Sequence, residues 1–407
     1  VERKERRRQP DIIVVLTTQW RAQATGYAGD PNAQTPVLDK LASRSLDLFQ
    51  AVTPHPFGVF ARAAFLTGLP CPENGVVDYF DPLPQDARTI AHRFSEIGYK
   101  TAFFGKWQLF ERNPAEPVVG EAHSRIRVPE SRRGGFDYWE GFESGFLLND
   151  PLLHGAELAE PTRFEGYQSD VLVERCCRWL ERRDSEVPAL VVLSLDAPHP
   201  PYGAPANNVS PVSPDSLILD DSVSEDEALR EIVRQELSGY YAHIQATDAA
   251  LGRLVRFLEF RNEWDDTIFA FSSAHGDMHG ASGKLRKGWP YEESIRVPML
   301  LSWPFVFDKP RRDPALFSLI DLGPTLMGLI GKEWKEIDHV EGQGKDLSGV
   351  LVMKGEGPNE QSISMPSVPP FDKQCPYAWN GRRTTTETKV SPCSKPDYVL
   401  SRLRQKT

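Results

Sequence analysis

Short, uninterrupted apolar runs rich in β-branched residues recur along this chain, and they constrain its fold more than any other feature. Ile12–Leu16 reads Ile-Ile-Val-Val-Leu, and Thr101–Phe104, Ala189–Leu195, Thr267–Ser272 and Val297–Leu301 repeat the theme. A strand without polar alternation is covered on both faces, the situation of strands in a parallel sheet flanked by helices. Between the runs, Pro36–Ser45, Ala61–Leu66, Arg88–Ile97, the amphipathic Tyr167–Arg183 and the long Glu225–Arg261 supply helical segments. The expected fold class is α/β, with a large mixed, mostly parallel sheet. Asn113–Asp150, rich in glycine, proline and charge, is expected to form loops over the strand ends. The chain divides into a basic N-terminal tail (1–10), an α/β domain (11–330) and a smaller C-terminal subdomain (331–407), where the strand pattern weakens.

Charge and cysteine content narrow the function classes. Lys plus Arg number 47 against 57 for Asp plus Glu, a formal charge of -10. That argues against nucleic-acid binding, which needs a basic stripe to displace counterions from phosphates. No run approaches the ~18 apolar residues of a membrane span. The basic stretch Val1–Gln9 has no apolar core behind it, so it is not read as a signal peptide. Five irregularly spaced cysteines indicate neither zinc nor a disulfide scaffold; a Cys375–Cys393 bridge and the compartment are both left open.

Ligands of open parallel sheets bind at the carboxyl ends of the strands. The segments to search are therefore Thr17–Gln19, Gly105–Gln108, Asp196–His199 and Ser273–Gly276. These segments and their neighbours resemble the sulfatase family of the alkaline phosphatase superfamily. Asp11–Leu16 is similar to the first strand, Thr35–Ala42 to the "TPNLDRLA" helix and Ala61–Gly68 to the nucleophile helix. Gly105–Trp107 resembles "GKWH", Gly135–Asp137 with Trp139 the "GFDxW" loop, and Pro198–Pro201 "PHxP". Asp248 with Gly252 and Arg253 resembles the long helix. Lys287 and Tyr291–Pro298 resemble "K…YEESIRVP", and Trp379–Thr384 the late "WRGVRT" strand. In order, the likeness runs from about Asp11 to Ser391, and it implies a sulfatase/alkaline-phosphatase-like fold.

What the resemblance implies for chemistry depends on the residues at the family's working positions. Active members place paired Asp after the first strand and a further Asp after a later one. They carry a Cys or Ser, oxidised to formylglycine, at the start of C/S-x-P-S-R. Hard Ca²⁺ or Mg²⁺ needs those oxygens to polarise the sulfuryl group and activate the nucleophile. Here the paired positions are Thr18 and Gln19, the later one is Ala274, and the nucleophile position is Gly58. Phe60 and Ala61 stand for Pro and Ser, and Gln108 for the His of "GKWH". The resemblance therefore implies that the Ca²⁺/Mg²⁺ site is lost, with no cofactor in its place. Arg62, Lys106, His199, His275 and Lys287 stand where family counterparts contact sulfate, nucleophile or metal. Up to three permanent cations and two histidines suit an oxyanion without a metal.

Each survivor also has an ordinary reading. Arg62 can be inherited from an active ancestor, Lys106 and Lys287 fall on loops where lysines are solvated, and a lone His275 is more often hydrogen-bonded than catalytic. Their convergence on one crevice favours the anion site. His279 and Asp277 are set aside, because one His and one carboxylate make a poor metal site. Glu292 and Glu293 are read as ordinary ion-pair formers. Thr17, Thr18, Thr53 and Cys71 offer no replacement nucleophile with a base beside it. The expectation is a pseudo-sulfatase without formylglycine-dependent hydrolysis, binding an anionic small molecule or sulfated saccharide. Two alternatives stay open: a metal-independent enzyme using His199 and His275 for acid/base or elimination chemistry, and a non-catalytic protein partner of an active sulfatase.

Overall fold

The computed structural model describes residues 9–337, 340, 342–352, 363–368, 379–383, 387–392 and 403–404. In chain order the elements begin with β1 (Asp11–Thr17), α1 (Pro36–Ala42), β2 (Leu46–Asp47), α2 (Gly58–Thr67), α3 (Ile90–Ser95) and β3 (Lys100–Lys106). They continue with α4 (Glu121–Ser124), β4 (Tyr138–Phe142), β5 (Leu152–Gly155), β6 (Thr162–Arg163), α5 (Gln168–Arg182) and β7 (Ala189–Ser194). Next come α6 (Glu227–Phe260), β8 (Thr267–Ser273), α7 (Glu292–Ile295), β9 (Met299–Ser302), β10 (Arg311–Arg312), α8 (Leu322–Leu329) and α9 (Ser348–Val352). The ten strands form one mixed sheet in the order β10-β2-β9-β8-β1-β7-β3-β4-β5-β6. Four further strands, β11 (Ile363–Val368), β12 (Trp379–Arg383), β13 (Glu387–Pro392) and β14 (Leu403–Arg404), make a separate antiparallel sheet.

The centre of the large sheet is parallel, as its unbroken apolar strands require. β1 lies between β7 and β8, with Leu16 opposite Ser194 and Thr17 opposite Ser273. β3 continues the parallel run beside β7. Alternate residues of β1 feed two cores. Ile12, Val14 and Leu16 pack with Phe60, Phe65 and Leu322 on one side; Ile13 and Val15 pack with Leu172, Ile244 and Leu251 on the other. Proline at the first turn starts α1, and Gly68, with φ 72°, ends α2 in the left-handed conformation that glycine adopts without a Cβ clash.

Two expectations change. Asn113–Asp150 is not all loop, because Tyr138–Phe142 forms β4, parallel to β3. Its Glu140 lies in a buried strand because Arg175 from α5 pairs with both carboxylate oxygens, at 2.5 and 2.6 Å. Lys106 is no loop residue either, since it closes β3. The tail residues 1–8 and both Cys375 and Cys393 lie outside the described residues. Among the described residues no helix is long and apolar enough to cross a membrane.

Candidate functional site

Because β1, β3, β7 and β8 run the same way, their carboxyl ends bring Thr18–Gln19, Lys106, Asp196–His199 and Ala274–Asp277 to one side of the sheet. α2, buried along all ten residues, adds Gly58 and Arg62. Arg62 reaches across to the strand ends: its Nη2 donates to Thr18 Oγ1 at 2.6 Å and its Nε to Ser194 Oγ at 3.2 Å. Its Nη1 makes longer bonds to Gly58 O at 3.3 Å and Gln108 Oε1 at 3.4 Å. Thr18 Oγ1 donates in turn to Leu195 O at 2.9 Å. A Cβ on residue 58 would lie 2.7 Å from Gln108 Oε1 and 2.8 Å from Arg62 Nη1. The carboxamide of Gln108 therefore fills the space above the glycine, and its Nε2 donates to Tyr79 Oη at 3.3 Å.

The second half of the site is a hydrogen-bonded chain. Lys287 Nζ donates to Gln19 Oε1 at 2.5 Å and lies 3.0 Å from His199 Nε2. His199 Nδ1 is 2.7 Å from Pro200 O, so that nitrogen carries the proton and Nε2 accepts from the lysine. The His199 ring stacks on Phe146 at 3.9 Å, and Lys106 Nζ sits 3.8 Å from the same aromatic ring. Lys106 also pairs with Asp196 at 2.7 Å, both side chains being essentially sealed from solvent. Gln168, the first residue of α5, fixes Asp196 by bonding its carboxylate and its backbone N–H, at 3.1 and 3.0 Å. Ala274 brings no polar group. His275 Nδ1 meets its neighbour Gly276 O at 2.9 Å, and its ring makes no hydrogen bond to the other four candidates. Gln19 and Gln108 both adopt positive φ, 69° and 59°, a costly conformation for residues with a Cβ that concentrates at functional sites.

Burial changes the electrostatics expected from sequence. Lys106 and Lys287 are not permanent cations. Burial pulls each down to about 7, with Asp196 opposing for Lys106 and Asp277 opposing for Lys287. Arg62 is lowered by burial to about 10, with Asp196 opposing, and so stays charged at neutral pH. Burial, then Lys287, hold His199 and His275 well below the ordinary histidine range. Two carboxylates share the site, Asp196 and Asp277. Burial pushes Asp277 upward, but His279, Arg286 and a hydrogen bond from Tyr202 hold its carboxyl below the usual range. Arg112 with Glu143 and Arg286 with Glu236 also act on these groups but form closed pairs, so Arg62, Lys106 and Lys287 against Asp196 and Asp277 leave one positive charge in excess when both lysines are protonated.

Single-sequence reasoning missed Asp196, Asp277, Tyr202 and Phe146 as members of this site. Asp196 stood in a searched strand-end segment, a usable signal. Phe146 and Tyr202 carry none, since aromatic residues in loops are ordinary.

Set beside known proteins, residues 10–332 match the sulfatase family profile. The chain belongs to the sulfatase family. An ulvan-active sulfatase of Formosa agariphila is 35% identical over 378 residues, covering 91% of this chain and 70% of its own. A solved structure from the glycosaminoglycan metabolism of Bacteroides thetaiotaomicron superposes with a TM-score of 0.83 at 23% identity, over 97% of this chain and 89% of its own. Another structural neighbour was solved in complex with its substrate D-glucosamine-2-N,6-O-disulfate. It has a TM-score of 0.77 at 20% identity, over 94% of this chain and 88% of its own. The α/β expectation and the family resemblance both hold.

Proposed function

We propose that this sulfatase-family protein binds an anionic ligand, a sulfated saccharide or a phosphorylated counterpart, without hydrolysing sulfate esters by the formylglycine route. The observation that carries the reading is the environment of residue 58. Glycine has no side chain to oxidise or attack with, and the volume of such a side chain is taken by Gln108 Oε1 and Arg62 Nη1. The donor set at the family's metal positions also argues against a hard divalent cation. The Thr18 hydroxyl is engaged by Arg62 and Leu195, an ammonium sits on Gln19 Oε1, and Ala274 offers no donor. Arg62, Lys106 and Lys287 then supply the positive charge that a metal supplies elsewhere, with neutral His199 and His275 beside them. A structural neighbour's disulfated glucosamine substrate supports a sulfated sugar as the ligand class.

The test is calorimetric titration with matched sulfated and desulfated saccharides, in chelator and again with added Ca²⁺. Binding that needs the sulfate and ignores the metal is expected. Ca²⁺-dependent release of inorganic sulfate from an ester would overturn the reading. One observation favours a second reading, metal-independent acid/base chemistry: the amine of Lys287, lowered to about 7, lies 3.0 Å from a neutral His199. Product formation from a sulfated sugar in chelator, abolished by Lys287→Met, would establish it; an unaltered ligand recovered after prolonged incubation would reject it.

A further inference from the structure

Asp277 is wholly buried beside Gln19 and acts as an acceptor on every side. Its Oδ1 takes the backbone N–H of His279 at 3.1 Å. Its Oδ2 takes the Tyr202 hydroxyl at 2.7 Å and also the Gln19 amide nitrogen. Gln19 Nε2 is 3.1 Å from the Tyr202 oxygen as well. With its amide nitrogen held on that side, Gln19 can only present Oε1 to the other, where Lys287 donates at 2.5 Å. A carboxamide in the opposite orientation would set an NH₂ against an ammonium, donor against donor.

We propose that Asp277 is the positioning residue of the anion site: it orients Gln19 so that a carbonyl oxygen meets Lys287. That contact and the bond to His199 Nε2 fix the ammonium at the strand ends and leave its third N–H for the bound anion. The role in binding rests on the functional reading above; the orientation of Gln19 does not. A carboxylate is required because both of its oxygens accept. In Asp277→Asn one of them becomes a donor, facing either the His279 N–H or the Gln19 and Tyr202 donors. Gln19 relieves the second clash by flipping, which turns its NH₂ onto Lys287.

Removing the intermediary should therefore remove the effect. D277N is expected to weaken inorganic sulfate binding roughly tenfold or more when Gln19 is intact, the loss of one charge-assisted contact. In the Q19M background the same change is expected to cost less than about threefold, because the two substitutions are coupled through one amide. A merely structural role for Asp277 predicts equal losses in both backgrounds and would overturn the proposal. A second measurement needs no ligand: the rate of Lys287 acetylation by acetic anhydride, read by peptide mass spectrometry. D277N changes that rate in either background, because it removes a negative charge that supports the Lys287 ammonium, and the change should be clearly larger when Gln19 is intact than in Q19M. A change of equal size in both backgrounds also overturns the proposal. Should wild type bind no sulfate, the functional reading fails alone and the labelling decides the orienting role.

Discussion

Lys287 is buried yet hydrogen-bonded as an ammonium, and its pull down to about 7 by burial makes its charge pH-dependent. Lys106 carries the same shift for the same cause. An anion needs the charged forms, so sulfate affinity is fully present below pH about 7 and declines as pH rises through that value, by up to about tenfold per unit for each lysine. Titration from pH 6 to 9 should show the decline, and Lys287→Arg should make it about half as steep, since a guanidinium stays charged while Lys106 still titrates. Affinity independent of pH in the wild type would sink the idea. Restoring only the nucleophile position, as in Gly58→Ser, should give no aryl-sulfate hydrolysis with Ca²⁺ present, because Thr18, Gln19 and Ala274 still offer no carboxylate. Turnover by that single variant would show that metal ligands come from elsewhere. At this scale the cationic positions were legible, because each stands in a short segment whose neighbours keep the family pattern. Their partners were not. Asp196 and Asp277 meet Lys106 and Gln19 only through the register of parallel strands, and Asp277 was weighed only with His279 as a metal pair and set aside, whereas its side-chain partners are an amide and a phenol.

The strands of the parallel centre were legible to within a residue or two because burial on both faces excludes polar residues. β4 was missed because Glu140 breaks its apolar run, and Arg175, which compensates that charge, lies 35 residues away. α2 begins at Gly58, before the expected Ala61, a start that rests on complete burial and not on helix propensity. α1 shows the same dependence on tertiary context. Its N-cap Thr35 makes no side-chain capping bond. The cap comes instead from α6: Asp248 accepts from Val37 N at 3.0 Å and Leu38 N at 2.9 Å. Asp248→Ala should lower unfolding free energy by about 1–3 kcal/mol, the cost of two orphaned helix N–H groups, and Asp248→Asn by less, since one acceptor remains. Denaturant unfolding reads both. An alanine variant indistinguishable from wild type would mean that water caps α1 equally well.

The two sheets of the molecule are joined near the site through Glu292, the first residue of α7, four residues after Gly288 in the segment that also carries Lys287. Arg296, one turn on, lies 3.1 Å from its carboxylate. Arg383 of β12, almost wholly buried, donates to both of its oxygens and also to Gln50 Oε1 at 2.6 Å. An ordinary ion pair for Glu292 was legible from the i,i+4 spacing to Arg296. The pairing across 91 residues was not, because the docking of the small sheet leaves no local pattern. Arg383 keeps Gln50 Oε1 when the carboxylate is removed, so Glu292→Ala should cost about 1–3 kcal/mol, and Glu292→Gln, which keeps one acceptor, clearly less. The loss should fall first on the attachment of the small sheet. Hydrogen exchange of the Trp379–Arg383 amides should rise under native conditions, while the Ile12–Leu16 amides at the centre of the large sheet keep their protection. Equal acceleration in both strands would instead make Glu292 part of one cooperative unit, with the small sheet no more separable than any strand of the large one.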